Sequence, residues 1–309
     1  MTHARNISSP LVFSYDGTGP DRELLRWIED RRVGGVVIFR ENAVDERALS
    51  IAIRALRDAG GPTLRIMIDE EGGQVRRLPD APTSMRDLRD YEAEDVRVVA
   101  DAYANVARRL DGFGIDTLLA PVVDVGNHHA EWLRRRTYSD SAPQVALMAS
   151  AVIPAIQRVG VAACAKHFPG TRTVAQDTHR NEAIGDASIP DWERIDVIPF
   201  RAAIQAGVAT VMVGHQRMQS LDAARPACLS PIIVRALLRE RLGFNGLVLT
   251  DDMAMSAITQ RYSMDMAVPA ASAAGCDYLL VCRNRLLQRQ ALFAYEEHLA
   301  NATTSQSTS

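Results

Sequence analysis

The chain has 309 residues, 47% of them hydrophobic and 24% charged, with a formal net charge of −3 and an isoelectric point near 6.2. That apolar fraction supplies a sizeable core, enough for one large α/β barrel or two smaller domains. A near-neutral balance with scattered arginines argues against nucleic acid or an anionic membrane surface as a partner, and the densest basic stretch, "WLRRRTY", holds only three arginines in a row.

The N-terminal "MTHARNISSPLVFSY" lacks the basic start, apolar stretch and small-residue cleavage site of a signal peptide. No window approaches the roughly 18 apolar residues of a membrane span. Cys164, Cys228, Cys276 and Cys282 show no metal-type spacing, and most lie in or beside apolar runs, as buried free thiols do. These features suit a reducing, cytoplasmic setting. The expected partner is a small molecule, with the protein a monomer or weak homodimer and no cofactor or metal.

Eight short apolar runs recur along the chain: residues 11–15, 33–39, 63–69, 115–123, 161–167, 210–215, 246–251 and 278–282. Most are continuous rather than alternating, the pattern of parallel strands buried on both faces. A helical pattern follows each run. The first, "DRELLRWIEDRR", has Asp21 as its N-cap; the second, "DERALSIAIRALRDAG", has Asp45 as cap and Gly60 as stop. Gly114, Gly160, Gly207 and Gly275 punctuate later helix ends. Eight strand-helix units predict an α/β fold, a (β/α)8 TIM-type barrel in one domain over residues 1–300; the polar residues 301–309 are expected to form a disordered tail.

In such a barrel the loops after the strands form the C-terminal face, where active sites sit. The strand ends here carry Asp69, Glu70 and Glu71, then Asp124, Lys166 and His167, His215, Asp251 and Asp252, and Arg283 and Asn284. A single polar residue at a strand end is usually a turn former or helix cap. Six such ends converging on one mouth suit a small hydroxylated substrate. Extended loops follow the third, fourth and fifth strands, and the last of these opens in "CAKHFPGTRTVAQDTH".

The stretches "VGGVVIF", "DEEGGQVRR", "GIDTLLAPVVDV", "RRRTY", "KHFPG…DTH", "ERLGFNGLVLTDDMAM" and "AAGCDYLLVC" occur in order over residues 11–285. In them the chain resembles the short, single-barrel bacterial β-N-acetylglucosaminidases of glycoside hydrolase family 3. The resemblance implies a retaining hydrolase that removes terminal β-linked N-acetylglucosamine through a covalent glycosyl-aspartate. It implies Asp251 as nucleophile, His179 as acid/base and Asp177 as the group that orients His179. A neighbouring carboxylate fixes an imidazole's tautomer and supports its protonated form. The resemblance also implies Asp69, Arg77, Arg136, Lys166 and His167 as substrate contacts, and a muropeptide-like or specialised N-acetylglucosamine conjugate as substrate.

The chain departs from the family pattern at Thr171-Arg172-Thr173-Val174, where the family usually has "HG[DN]T", and at Gln74 and "RNEAI". Glycine at position 172 would allow backbone conformations that arginine disfavours, so loop closure is in question there. Rival readings are a phosphorolytic enzyme, a Schiff-base lyase through Lys166, a metal-dependent hydrolase and a non-catalytic sugar-binding barrel.

Overall fold

The computed structural model describes residues 7–78, 85–126, 131–174 and 183–306. Eight parallel strands stand where the apolar runs predict them: β1 (Leu11–Phe13), β2 (Gly35–Ile38), β3 (Arg65–Ile68), β4 (Thr117–Leu118), β5 (Ala162–Phe168), β6 (Thr210–Val213), β7 (Leu247–Thr250) and β8 (Leu279–Val281). They pair in the order 8-1-2-3-4-5-6-7. A parallel bridge between Leu249 and Tyr278 joins β7 to β8 and closes the ring. The result is a (β/α)8 barrel, which closure leaves without sheet edges.

The main helices pack outside this ring: α1 (Arg22–Glu29), α2 (Glu46–Gly60), α3 (Val96–Phe113), α4 (Ala142–Gln157), α5 (Val197–Gln205), α6 (Ile232–Arg241, wound as a π-helix), α7 (Met264–Ala274) and α8 (Arg285–Gln306). Asp21 caps α1 by accepting from the Glu23 and Leu24 amides, and Asp45 caps α2 through the Ala48 amide. Each satisfies backbone donors that a helix start leaves without partners. The α2 stop falls one residue later than expected, with Gly60 inside the helix and Gly61 (φ 62°) as its C-cap. α8 also runs through residues 301–306, into the stretch expected to be a disordered tail. Extending an existing helix fixes one residue per hydrogen bond, so weak formers such as Asn and Thr are carried along. Among the described residues no helix is long and apolar enough to cross a membrane.

The core has two parts. The larger lies between the strands and the helices. The smaller fills the barrel, with Val12, Val37, Met67, Leu119, Cys164, Met212, Leu249 and Leu280 pointing inward from successive strands or their ends. All four cysteines are buried free thiols, and burial pushes the Cys164 thiol up to about 11. Side chains alternate along a strand, so a residue two places beyond an inward one also faces in. Met67 therefore predicts an inward Asp69, Cys164 an inward Lys166, and Leu249 an inward Asp251. The core itself aims these charged groups at the mouth.

Gly114 ends α3 in the left-handed region (φ 82°), and its amide bonds back to Leu110 and Asp111. A Cβ there would touch only Ile53, at an ordinary 3.6 Å. The cost of Gly114→Ala is thus conformational, and the substitution is expected to lower unfolding stability by about 1 kcal/mol, read from the urea midpoint at unchanged slope.

Candidate active site

The loop after β3 begins with Asp69, Glu70 and Glu71 and turns at Gly72 (φ 101°) and Gly73 (φ 54°). A Cβ on Gly73 would lie 1.6 Å from an Asp87 carboxylate oxygen, so only glycine fits this close approach. The turn places Glu71 facing the barrel axis, with its backbone carbonyl accepting from the Tyr103 hydroxyl of α3 at 3.0 Å. Glu70 turns the other way and accepts from the Arg77 and Leu78 amides at 2.6 and 2.9 Å. It closes the loop rather than facing the mouth. Burial raises the Glu70 carboxyl despite those two amides.

Glu71 is the centre of the mouth. Its carboxylate accepts two parallel bonds from Arg136, both 2.8 Å, and lies 2.6 Å from Lys166 Nζ. Lys166 also donates to Asp69 at 2.6 Å. The Lys166 and Glu71 side chains are each 2% exposed. Burial would raise the Glu71 carboxyl, but the charges of Arg136 and Lys166 outweigh it and hold the group well below the usual carboxylate range. Burial would likewise lower Lys166, and Asp69 and Glu71 instead hold it above its ordinary value. Two cations and two carboxylates so neutralise one another in a place water scarcely reaches.

Beside them His167 is fixed by Asp124, a fully buried carboxylate after β4. Asp124 lies 2.7 Å from His167 Nδ1 and also accepts from the His167 and Thr171 amides. A carboxylate accepts only, so a proton sits on Nδ1, and the Nε2 edge of the ring faces Arg136, 3.5 Å away.

Asp251 follows β7. Its carboxylate accepts from the Asp252 amide at 2.8 Å, and it stands two residues beyond the inward-facing Leu249. Asp252 accepts from the Ala254 and Cys282 amides and ties the loop after β7 to the end of β8. Beneath them lies His215, 1% exposed. Its Nε2 is 2.8 Å from the Asp252 carbonyl and its Nδ1 is 3.2 Å from Cys228 Sγ. The carbonyl requires Nε2 to donate, so the thiol donates to Nδ1.

The barrel thus brings together Asp69, Arg136, Lys166, His167 and Asp251. Arg77 lies to one side, its guanidinium 5.9 Å from the centre of the Phe39 ring. Asp177 and His179 fall outside the described residues. Glu71 and Asp124 stand out in the sequence only as strand-end carboxylates; their distant partners become visible in the fold.

Arg172 keeps a negative φ, since Arg31 and Arg283 are the non-glycine residues described with positive φ. Its guanidinium makes two 2.9 Å bonds to Asp196, whose side chain is 3% exposed. Trp192, on the same π-helical turn as Asp196 (Trp192–Asp196), donates to the Pro169 carbonyl at 2.9 Å. The arginine in the glycine position thus anchors the start of the long loop to the element ahead of α5. Burial raises the Asp196 carboxyl, and Arg172 only partly offsets this.

Two stability measurements test these arrangements. Glu71→Gln leaves two buried cations short of a counter-charge and is expected to cost about 3 kcal/mol in the urea midpoint. Arg172→Met leaves the Asp196 carboxylate buried without its cation, at about 1–3 kcal/mol near neutral pH. The Asp196 pKa is already raised in the folded state, and losing Arg172 raises it further. Protonation then relieves the folded state, so the deficit of Arg172→Met should shrink as pH falls through that raised value. A deficit independent of pH between 7 and 4.5 would contradict the pairing.

The model of the glycosyl hydrolase family 3 N-terminal domain matches residues 10–307. A β-hexosaminidase of Stenotrophomonas maltophilia (strain K279a) is 32% identical over 298 residues, covering 94% of this chain and 88% of that protein. A β-hexosaminidase of Xylella fastidiosa (strain M23) is 32% identical over 285 residues, 90% of this chain and 84% of that one. Among solved structures, NagZ of Neisseria gonorrhoeae superposes with a TM-score of 0.85 at 26% identity, covering 92% of this chain and 84% of its own. A family 3 β-N-acetylglucosaminidase of Paenibacillus sp. str. FPU-7 superposes at 0.88 with 29% identity over 92% of this chain; this chain spans 56% of that longer protein. With its family model matched over residues 10–307 and its barrel superposing on those of these enzymes, the chain belongs to glycosyl hydrolase family 3 and is a glycosidase.

Proposed function

We propose that the chain is a retaining β-N-acetylhexosaminidase that releases terminal β-linked N-acetylglucosamine, with Asp251 as nucleophile and His179, oriented by Asp177, as acid/base. What supports this reading is that Asp251 directly follows β7, two residues beyond the inward Leu249, just as Asp69 and Lys166 stand two residues beyond the inward Met67 and Cys164. The names of the similar proteins, β-hexosaminidases and β-N-acetylglucosaminidases, support the choice of sugar.

In this reading the ion-paired floor binds the sugar's hydroxyls. Asp69 accepts from a hydroxyl, Lys166 donates to one, and His167 lines the same floor. Because Glu71 and Asp124 hold these groups before substrate arrives, little is lost in ordering them on binding. The Asp251 carboxylate then attacks the anomeric carbon while His179 gives its proton to the departing oxygen. The neutral imidazole next takes a proton from water. That water displaces Asp251 from the other side of the carbon, and the sugar leaves in its original β configuration.

The floor also argues against Schiff-base chemistry. An amine nucleophile must be uncharged, whereas Lys166 is held protonated between two carboxylates. We assign the aglycone to a muropeptide-like or other N-acetylglucosamine conjugate.

Asp251→Ala is expected to reduce turnover of 4-nitrophenyl N-acetyl-β-D-glucosaminide by several orders of magnitude in a folded protein, and a fluorosugar inactivator should label Asp251. Proton NMR should detect the β-anomer first; an initial α-anomer would falsify the retaining assignment. His179→Ala should slow poor leaving groups most, and adding Asp177→Asn should worsen it little because the pair acts as one unit. Full activity of His179→Ala towards an unactivated glycoside would remove it from the mechanism. Rates independent of phosphate distinguish hydrolysis from phosphorolysis.

A further inference from the structure

The cluster described above occupies one arc of the mouth, from β3 through β4 to β5. The opposite arc, running from Asp251 on β7 through β8, β1 and β2 back to Asp69 on β3, is built differently. Phe39 follows β2 and packs on the upper end of the barrel interior. β2 and β3 pair Ile38 with Ile68, so Phe39 stands level with Asp69. Its ring carries the Arg283 guanidinium, 3.9 Å from the ring centre. The Arg77 guanidinium approaches the same ring at 5.9 Å.

Two features set this ledge apart from ordinary surface arginines. Arg283 holds a left-handed backbone (φ 50°), a conformation that a side chain with a Cβ disfavours, and its amide donates to Ser14 Oγ at 2.8 Å. Non-glycine residues held in this way cluster at ligand sites, because the surrounding fold must fix them there. Arg77 has a buried Nε with no hydrogen-bond partner among the described residues. Both guanidiniums approach the same ring. The carboxylate paired with Arg283, Glu41, is 3.8 Å away, beyond hydrogen-bond range, and both side chains are nearly half exposed. An exposed guanidinium held on the ring, with its carboxylate beyond hydrogen-bond range, suits an acceptor that carries negative charge.

We propose that the Phe39–Arg283–Arg77 ledge binds an anionic group, a phosphate or a carboxylate, carried by the glycoside. The proposal rests on the glycosidase reading of the same mouth and narrows it to acidic substrates. The stacked, planar guanidinium of Arg283 supplies two parallel donors to such a group, and the ring below fixes its plane.

Binding is measured on the Asp251→Asn protein, which holds ligands without turning them over. N-acetylglucosamine is compared with its 6-phosphate, and phenyl N-acetyl-β-D-glucosaminide with its 4-carboxyphenyl counterpart. At least one anionic ligand should bind about tenfold or more tightly than its neutral partner, and the pair that gains identifies whether the anion sits on the sugar or the aglycone. The gain should fall with added salt. Introducing Arg283→Asn, a residue that tolerates the left-handed backbone, should abolish the gain and leave the neutral ligands within about twofold. Equal binding within both pairs, or a gain that survives Arg283→Asn, overturns the proposal. Turnover of the neutral nitrophenyl glycoside by the protein with Asp251 intact is recorded separately. Its absence would count against the glycosidase mechanism and leave the binding comparison standing as the measure of the ledge.

Discussion

The mouth of this barrel depends on one buried carboxylate. Glu71 sits between Arg136, which reaches it from the segment after β4, and Lys166, which reaches it from β5. Taking three charges out of water is costly, and an apolar replacement of similar volume is often no less stable. The arrangement is better understood through geometry than through net stability. A carboxylate with two cationic partners has few alternative positions, so the three side chains define one another's places. Lys166 passes the constraint to Asp69, and Arg136 passes it to His167. Groups from three separate strand ends are therefore ordered before any ligand arrives.

The same logic extends below and beside the cluster. Asp124 fixes His167 and the start of the long loop together, since one carboxylate accepts from the imidazole and from the amides of His167 and Thr171. His215 holds the Asp252 carbonyl, and Asp252 holds the end of β8. The loops after β4, β5, β6 and β7 are cross-braced in this way by side chain to backbone bonds. Such bonds use fixed backbone groups, which limits how far a strand-end side chain can drift. Arg172 adds a further brace that glycine could not supply, by clamping Asp196.

Much of the architecture was legible in the chain. Strands buried on both faces read as continuous apolar runs, so all eight were visible, and Asp21, Asp45, Gly114 and Gly275 marked helix ends by local chemistry that needs no distant partner. At the C-terminus, composition describes residues 301–306 only as polar, whereas α8 runs through them because a preceding helix carries them along. Arg172 was legible only as a missing glycine. Its partner Asp196 is 24 residues away, and no local pattern links the two.

The motif-bearing stretches sufficed to put Asp69, Lys166 and Asp251 at the strand ends of one mouth, and the inward Met67, Cys164 and Leu249 of the folded barrel then aim them, because side chains alternate along a strand. The sequence alone therefore determined the barrel, its family likeness and the set of charged strand ends. The tertiary structure decided which of those charges neutralise each other. Lys166 and Asp69 are 97 residues apart, and Arg136 and Glu71 are 65 apart. Before folding, Glu70 and Glu71 are neighbouring acidic residues of one type. Ring closure then turns one towards backbone amides and the other towards two cations, and only that placement gives them different ionisation and different work.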